Sequence, residues 1–500
     1  MSVEEAALAL KRFGLGPRPG DIGRIAADPK AAVLAELDAA DIVRLDDAGL
    51  PGAEEAYLAI RRDQIARQTT RRAAPEVKVP DMAAAESAGG MASTAAGDAS
   101  KAAPVAVPVV GAAMMAPGGK ALDDTAPRRS MVFYRSEIAA RASRRLSADI
   151  GYVERLVDFW ANHFALQSDK DERIRGLAGA FEREAIRPHV LGRFEDMLVA
   201  ATRHPAMLLS LDNVDSTGPN SPAGLKSGNG LNENHAREIL ELHTVGVDGG
   251  YSQQDVTEFA RVLTGWTFVR DVRRSDIGSF FFAANRHEPG GHVVMGKTYS
   301  VDPDHPKGNE RQGLDVLQDL AAHPATAHHI ATKLARHFVD DHPPEEIVAA
   351  LAGTFRKTDG DLKAVSRALI EAPAAWGKGQ KFATPQQFVN ASLRATGVTL
   401  DTPRMQGVLR SLGQMTWAPV SPEGFHDDAA TWLSPDGMTT RLDVADRIAQ
   451  QATLSRPPEQ LAEDLLGPDL SADTRQTIRR AETGRQAVAL LLMSPEFQWR

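Results

Sequence analysis

The stretch SQQDVTEFARVLTGW, residues 252 to 266, decides the fold class. Ser252 stands where a helix N-cap accepts a backbone N–H, and Asp255, three positions on, is placed to answer it as a capping-box partner. Val256, Phe259, Ala260 and Leu263 recur at the i, i+3, i+4, i+7 spacing of a buried helical stripe, and Gly265 supplies a stop. The same period runs outward through most of the chain. In YVERLVDFWANHFALQ (152–167), Leu156, Phe159, Trp160, His163 and Phe164 share one helix face. Helical patterns fill 53–72 and 129–147 and recur near 311–338, 344–357, 361–372, 385–396, 404–413, 439–453, 458–466 and 473–493. Only SFFFAANRHEPGGHVVMGKTYS (279–300) reads as extended, with two short β-rich runs around Pro289-Gly290-Gly291. The expected architecture is mainly α, a multi-helix globular fold with one small β-hairpin. No repeat of constant period argues for a solenoid.

Composition bounds the rest. Residues 71–128 are dominated by Ala, Pro, Gly and Ser without periodicity, and bury too little apolar surface to offset the entropy of ordering them. They read as a disordered insertion in a single discontinuous helical domain, 1–70 and 129–500. A net charge of -9 leaves no cationic excess for a general nucleic-acid binder. The absence of cysteine excludes disulfides, thiolate metal sites and cysteine nucleophiles. The most apolar long stretch, 103–119, is interrupted by Pro104, Pro108 and Pro117, so no membrane span is expected. Glu4 and Glu5 stand where a secretory signal needs basic residues, which points to a cytoplasmic protein. No G-x-S-x-G elbow, Walker loop or strand-linked G-x-G-x-x-G appears, and GLGPRPGD (14–21) reads as a turn.

The densest polar motif is NENHAREILELHTVG, residues 232–246. At roughly 100° per residue, Glu233, Arg237 and Glu241 fall on one helix face, with Asn234 and Glu238 beside them. His243 lies in the middle of the opposite apolar arc, and His235 near its edge. The spacing matches neither H-E-x-x-H nor the Glu-x-x-His of di-iron bundles. Two readings stand: an i, i+4, i+8 salt ladder, or one wall of a site. His163 on its aromatic face is either a hydrogen-bonded core residue or a ligand. His287 and Glu288 occupy a Pro-Gly-rich loop of the kind that often serves a site. His328, His329 and His337, in HPATAHHIATKLARHF (323–338), are surface or metal-binding residues.

Taken together, RFGLGPRPGD (12–21), RLVDFWANHF (155–164), HPAMLLSLDN (204–213), residues 230–266, HEPG (287–290), HPATAHHIATKLARHF, KFATPQQFV (381–389) and SPEFQWR (494–500) resemble a bacterial family known as the domain of unknown function 1800. The resemblance spans nearly the whole chain and implies no settled activity. Glu233, Arg237, Glu238, Glu241, His163 and His287 match the family pattern. His235 stands where the pattern usually has Tyr, and the position of His243 is often aromatic in relatives. The resemblance also implies partners in the domain of unknown function 1501 group, whose fold resembles sulfatases and alkaline phosphatases and whose members often carry twin-arginine signals. Co-export with such a partner is the alternative to a cytoplasmic location.

Two functions follow as expectations. The first is an enzyme-like protein whose site draws on His163, Glu233, Arg237, Glu241 and His287. Its carboxylates and histidines act as acid and base, or His163, Glu233, Glu241 and His287 hold a divalent metal as the candidate cofactor, and Arg237 orients an anionic substrate. The second is a noncatalytic binding partner or maturation factor for a sulfatase-like protein.

Overall fold

Ser252 caps the Gln253–Val262 helix as its sequence requires: its hydroxyl accepts from Asp255 N at 3.2 Å, and the Asp255 carboxylate accepts from Ser252 N at 2.7 Å. Val256, Phe259, Ala260 and Leu263 are buried. Gly265 ends the helix at φ +83°, and a Cβ there would sit 2.8 Å from the Ala283 carbonyl oxygen, so only glycine fits. This computed structural model describes residues 3–39, 41–45, 49–73, 127–228, 230–301, 304–305, 309–377 and 381–500. The insertion expected at 71–128 falls almost entirely outside them.

The chain forms two compact units, Met1–Arg61 with Arg128–Arg500, and Arg62–Pro127. Within the described part of the second, Arg67 pairs with Asp63 one helical turn away. The first unit is mainly α-helical, and no described helix is long and apolar enough to cross a membrane. It holds two apolar cores: one draws on residues between Ala6 and Ala375 together with Trp417, the other on residues between Ala383 and Phe497.

Three local readings differ in detail from the structure. The single hairpin expected over 279–300 resolves into two antiparallel ladders. Strand β1 (Trp266–Phe268) pairs with β2 (Phe280–Phe282), and β3 (His292–Val294) pairs with β4 (Lys297–Tyr299). The second ladder is closed by the two-residue turn Met295-Gly296, both at positive φ, which matches the strand twist as Pro289-Gly290-Gly291 does not. The unusual Met295 backbone is held by its N–H donating to Asp255 Oδ1 at 2.6 Å. The helical pattern at 311–338 is two helices, Arg311–Ala322 and Pro324–Phe338, because Pro324 forces His323 out of helical geometry and His323 then caps the second helix. Residues 473–493 likewise divide, into Ala472–Arg479 and Gly484–Met493, where Thr483 caps the latter.

Buried charges fix the helices that matter for the site. The Glu36 carboxylate accepts from the amides of Ile150, Gly151, Tyr152 and Val153 at 2.7–3.4 Å, filling the anion position at the start of the Tyr152–His163 helix. Along that helix Glu154 takes a two-pronged contact from Arg187, while Asp158 takes Arg141. Arg141 and Arg187 also share Glu182, which accepts from the Trp417 indole at 3.0 Å. Such pairs add little net stability after desolvation, but breaking one strands its partner, so they enforce one arrangement of the elements.

Candidate functional site

A cleft of about 410 Å³ opens where the two cores meet, within the usual size of small-molecule sites. One wall comes from the end of the Tyr152–His163 helix and from the Pro324–Phe338 helix, which delivers Lys333, Arg336 and His337 at i, i+3 and i+4. The other wall comes from Thr384, Gln386 and Gln387 and from residues 414–417. The loop that contributes Pro419, Glu423, Phe425, His426, Asp427 and Asp428 also lines it.

That loop is fastened at its Phe425–Ala429 end. The Asn162 side chain donates to Phe425 O at 2.9 Å and accepts from Phe425 N at 2.8 Å, so one amide grips both backbone groups of a single residue. Gly424 passes so close, at φ +90°, that a Cβ would lie 2.5 Å from the Asn162 carbonyl oxygen. Lys381, fully buried, donates to the Asp427 carbonyl and to Asp341 Oδ1. Asp341 Oδ2 in turn accepts from Ala429 N at 2.8 Å.

These fastenings bring Asp427 to His337. Nδ1 of His337 lies 2.5 Å from Asp427 Oδ2, while His337 Nε2 has no partner among the described residues. Burial pushes the imidazole down to about 4 in spite of Asp427, so it is neutral near pH 7. Burial works against the Asp427 charge, but His337, Lys381 and Arg500 outweigh it and hold the carboxyl below the usual carboxylate range. A neutral imidazole donating from Nδ1 to a carboxylate must carry its lone pair on Nε2, which is the protonation pattern of an oriented general base.

His163 lines the same cleft. Its Nε2 contacts His243 O at 3.1 Å, which assigns the proton to Nε2, and its Nδ1 has no described partner. The ring sits among Trp160, Phe164, His243 and His329, with centroids 4.7–6.3 Å away. Burial, then the Lys333 charge and the two neighbouring imidazoles, hold it well below its ordinary pKa. Burial likewise lowers Lys333 to about 8, against the opposing charge of Glu423.

The other expected site residues lie elsewhere. Residues 234–238 are α-helical, but Ile239–His243 form a π-turn, and this shifts the face on which later side chains emerge. Arg237 therefore pairs with Glu233 at 3.1 Å, the first rung of the ladder, but not with Glu241, which accepts from the Tyr251 hydroxyl at 3.2 Å. Glu233 also takes Thr257 Oγ1 at 2.7 Å and Gln253 Nε2 at 2.8 Å, and these bonds, with Thr257 foremost, lower its pKa. Glu233 and Arg237 are about one-third exposed and clip two helices together. His287 is buried in a loop junction, Nδ1 at 2.9 Å from Thr264 O and Nε2 at 3.1 Å from Gln312 Oε1. Beside it the buried Glu288 takes Arg261 and Asn220.

The structure thus brings Glu233 and Arg237 together, puts His163 on the cleft, and places Glu241 and His287 in separate contacts. Among the described residues no three His, Asp or Glu are grouped to hold a metal ion. His337 was visible in the sequence only as one histidine of a His-rich helix. Asp427 carries no local signal beyond the polar run His426-Asp427-Asp428 after a glycine, and its partner is 90 positions away.

Comparison with known proteins gives a family and no activity. The family described as a protein of unknown function (DUF1800) matches residues 8–499. No curated protein and no solved structure matches the chain.

Proposed function

The chain belongs to the DUF1800 family, and we propose that it is an enzyme-like protein that performs acid–base chemistry on a small organic molecule in the cleft between its two cores. The observation that carries this reading is the His337–Asp427 pair in the wall of a cleft of ligand size, with a buried His337 Nε2 that has no partner among the described residues. His337 Nε2 accepts a proton from a water or from a substrate hydroxyl, Asp427 stabilises the imidazolium that results, and the same proton returns to the departing group. Burial of the pair keeps water from screening that charge. His163, buried in the same wall, carries a second unpartnered acceptor at Nδ1. A partner role toward a sulfatase-like protein rests on the family resemblance alone.

The test is a hydrolase and lyase substrate screen with the purified chain, followed by His337→Asn and Asp427→Asn. Turnover of some substrate that both substitutions abolish, in protein that remains folded by circular dichroism, supports the reading. Turnover that survives both substitutions removes it.

A further inference from the structure

The charges around the cleft do not balance locally. Asp158 is taken by Arg141 and Arg145, Asp341 by Lys381, Asp427 by His337, and Asp428 caps the Ala429–Trp432 helix through Thr431 N. Lys333 forms no ion pair among the described residues, and Arg336 spends only its Nε, on the Asp341 carbonyl at 3.2 Å. One cleft carboxylate, Glu423, is likewise without an ion pair there and faces Lys333 at longer range. Two uncommitted cations therefore stand one helical turn apart against one uncommitted carboxylate. An ammonium set into a partly apolar cleft without a counter-ion is costly, and an incoming anion relieves that cost. Beside these cations lie the unpartnered Nδ1 of buried His163 and an apolar surface made by Phe159, Met415, Trp417 and Phe425.

We infer that Lys333 and Arg336 form the subsite for an oxyanion, so that the molecule this cleft takes is a small organic carboxylate or phosphate whose apolar part rests on Trp417 and Phe425. The subsite rests on the acid–base reading of the same cleft but can be tested without turnover. Lys333 supplies a point charge from a half-buried position on the cleft wall, and Arg336 offers its terminal nitrogens at the more exposed position one turn on. Glu423 is the internal competitor for the ammonium, so its removal favours the ligand.

Calorimetric titration of the full chain with benzoate, phenyl phosphate and the neutral benzamide tests this. The two anions separate a carboxylate from a phosphate preference, and benzamide measures what the apolar wall binds without charge. We expect one or both anions to bind at least about 10-fold more tightly than benzamide, which corresponds to about 1.4 kcal/mol. Lys333→Gln should abolish that margin, Lys333→Arg should restore much of it, and Glu423→Gln should strengthen anion binding several-fold. Benzamide binding as tightly as the anions, an unchanged margin in Lys333→Gln, or no measurable binding of either anion overturns the inference. The readings fail separately: loss of anion binding in Lys333→Gln upholds the subsite even if turnover proves independent of His337.

Discussion

His337 Nδ1 and Asp427 Oδ2 lie 2.5 Å apart although 90 residues separate them in the chain, and the contact fixes Nε2 as the imidazole nitrogen that carries the lone pair. Asp427→Asn preserves size but offers either an N–H or a carbonyl, so the tautomer is no longer imposed. Turnover is expected to fall about 10²–10⁴-fold, with the far-ultraviolet circular dichroism unchanged. A loss smaller than 10-fold would count against an orienting role.

The two cleft pKa values give a pH profile. His337, buried beside Asp427, Arg155 and Arg500, acts as a base only above its value of about 4. Lys333, facing Glu423, Asp427 and Arg336, holds an anion only while protonated, below about 8. The profile of kcat/KM for an anionic substrate should therefore rise through about 4, stay level, and fall through about 8. Lys333→Arg should move the upper limb well above 8, because a guanidinium stays charged. A limb that does not move assigns that titration to another group.

Asn162 is expected to act through the loop it grips. Asn162→Ala removes two hydrogen bonds to Phe425 and leaves its backbone groups facing a void, at a cost of about 2 kcal/mol. Because Asp427 follows two residues later, turnover should fall even at temperatures where the chain is fully folded. Asn162→Asp keeps the acceptor for Phe425 N but sets a carboxylate oxygen against Phe425 O, so it should lose stability and turnover as well. Urea denaturation and steady-state kinetics measure the two effects, and parent-like stability and turnover in both variants would count against the grip.

Acid should unfold this protein early. His235 is held at about 3 by burial alone, and His329 and His337 at about 4, all below the ordinary value of 6.5. Between those limits the unfolded chain binds more protons than the folded one, so stability rises with pH there. It is complete above about 6.5 and is lost as pH falls toward 4, by a few kcal/mol per histidine as an order of magnitude. His235 contributes nothing in return, since neither ring nitrogen has a described partner. His235→Leu should raise stability at pH 7 by about 1 kcal/mol and flatten the acid limb. Denaturation curves at pH 7 and pH 5 that coincide for the parent chain would refute the account.

The Glu233–Arg237 contact and Glu241 make a weaker demand. Glu233 and Arg237 are partly exposed, and Glu241 has a tyrosine hydroxyl as its partner. Glu241→Gln and Arg237→Lys are each expected to cost at most about 1 kcal/mol, with turnover and anion binding unchanged. A large loss of turnover in either variant would return the site to this helix.

The sequence by itself determined the helical class, the capping box at Ser252, the stop at Gly265 and the apolar stripe of Val256, Phe259 and Ala260, because each is set by residues within a few positions of one another. It also marked His163 and the histidines of 323–338, since polar residues on an apolar face stand out locally. It did not show that Ile239–His243 would wind as a π-turn, which turned Glu241 away from Arg237, because that register is chosen by the packing of both ends of the helix. Nor did it show that Phe280–Phe282 pairs backward with Trp266–Phe268, as strand partners are chosen across loops by burial and turn geometry. The cleft belongs wholly to tertiary structure. Asp427, Asn162 and Lys381 lie far apart in the chain and look ordinary in their own neighbourhoods. Only the meeting of the two cores gives Asp427 its imidazole and leaves Lys333 without an ion pair among the described residues, and no local pattern encodes what a side chain will find opposite it.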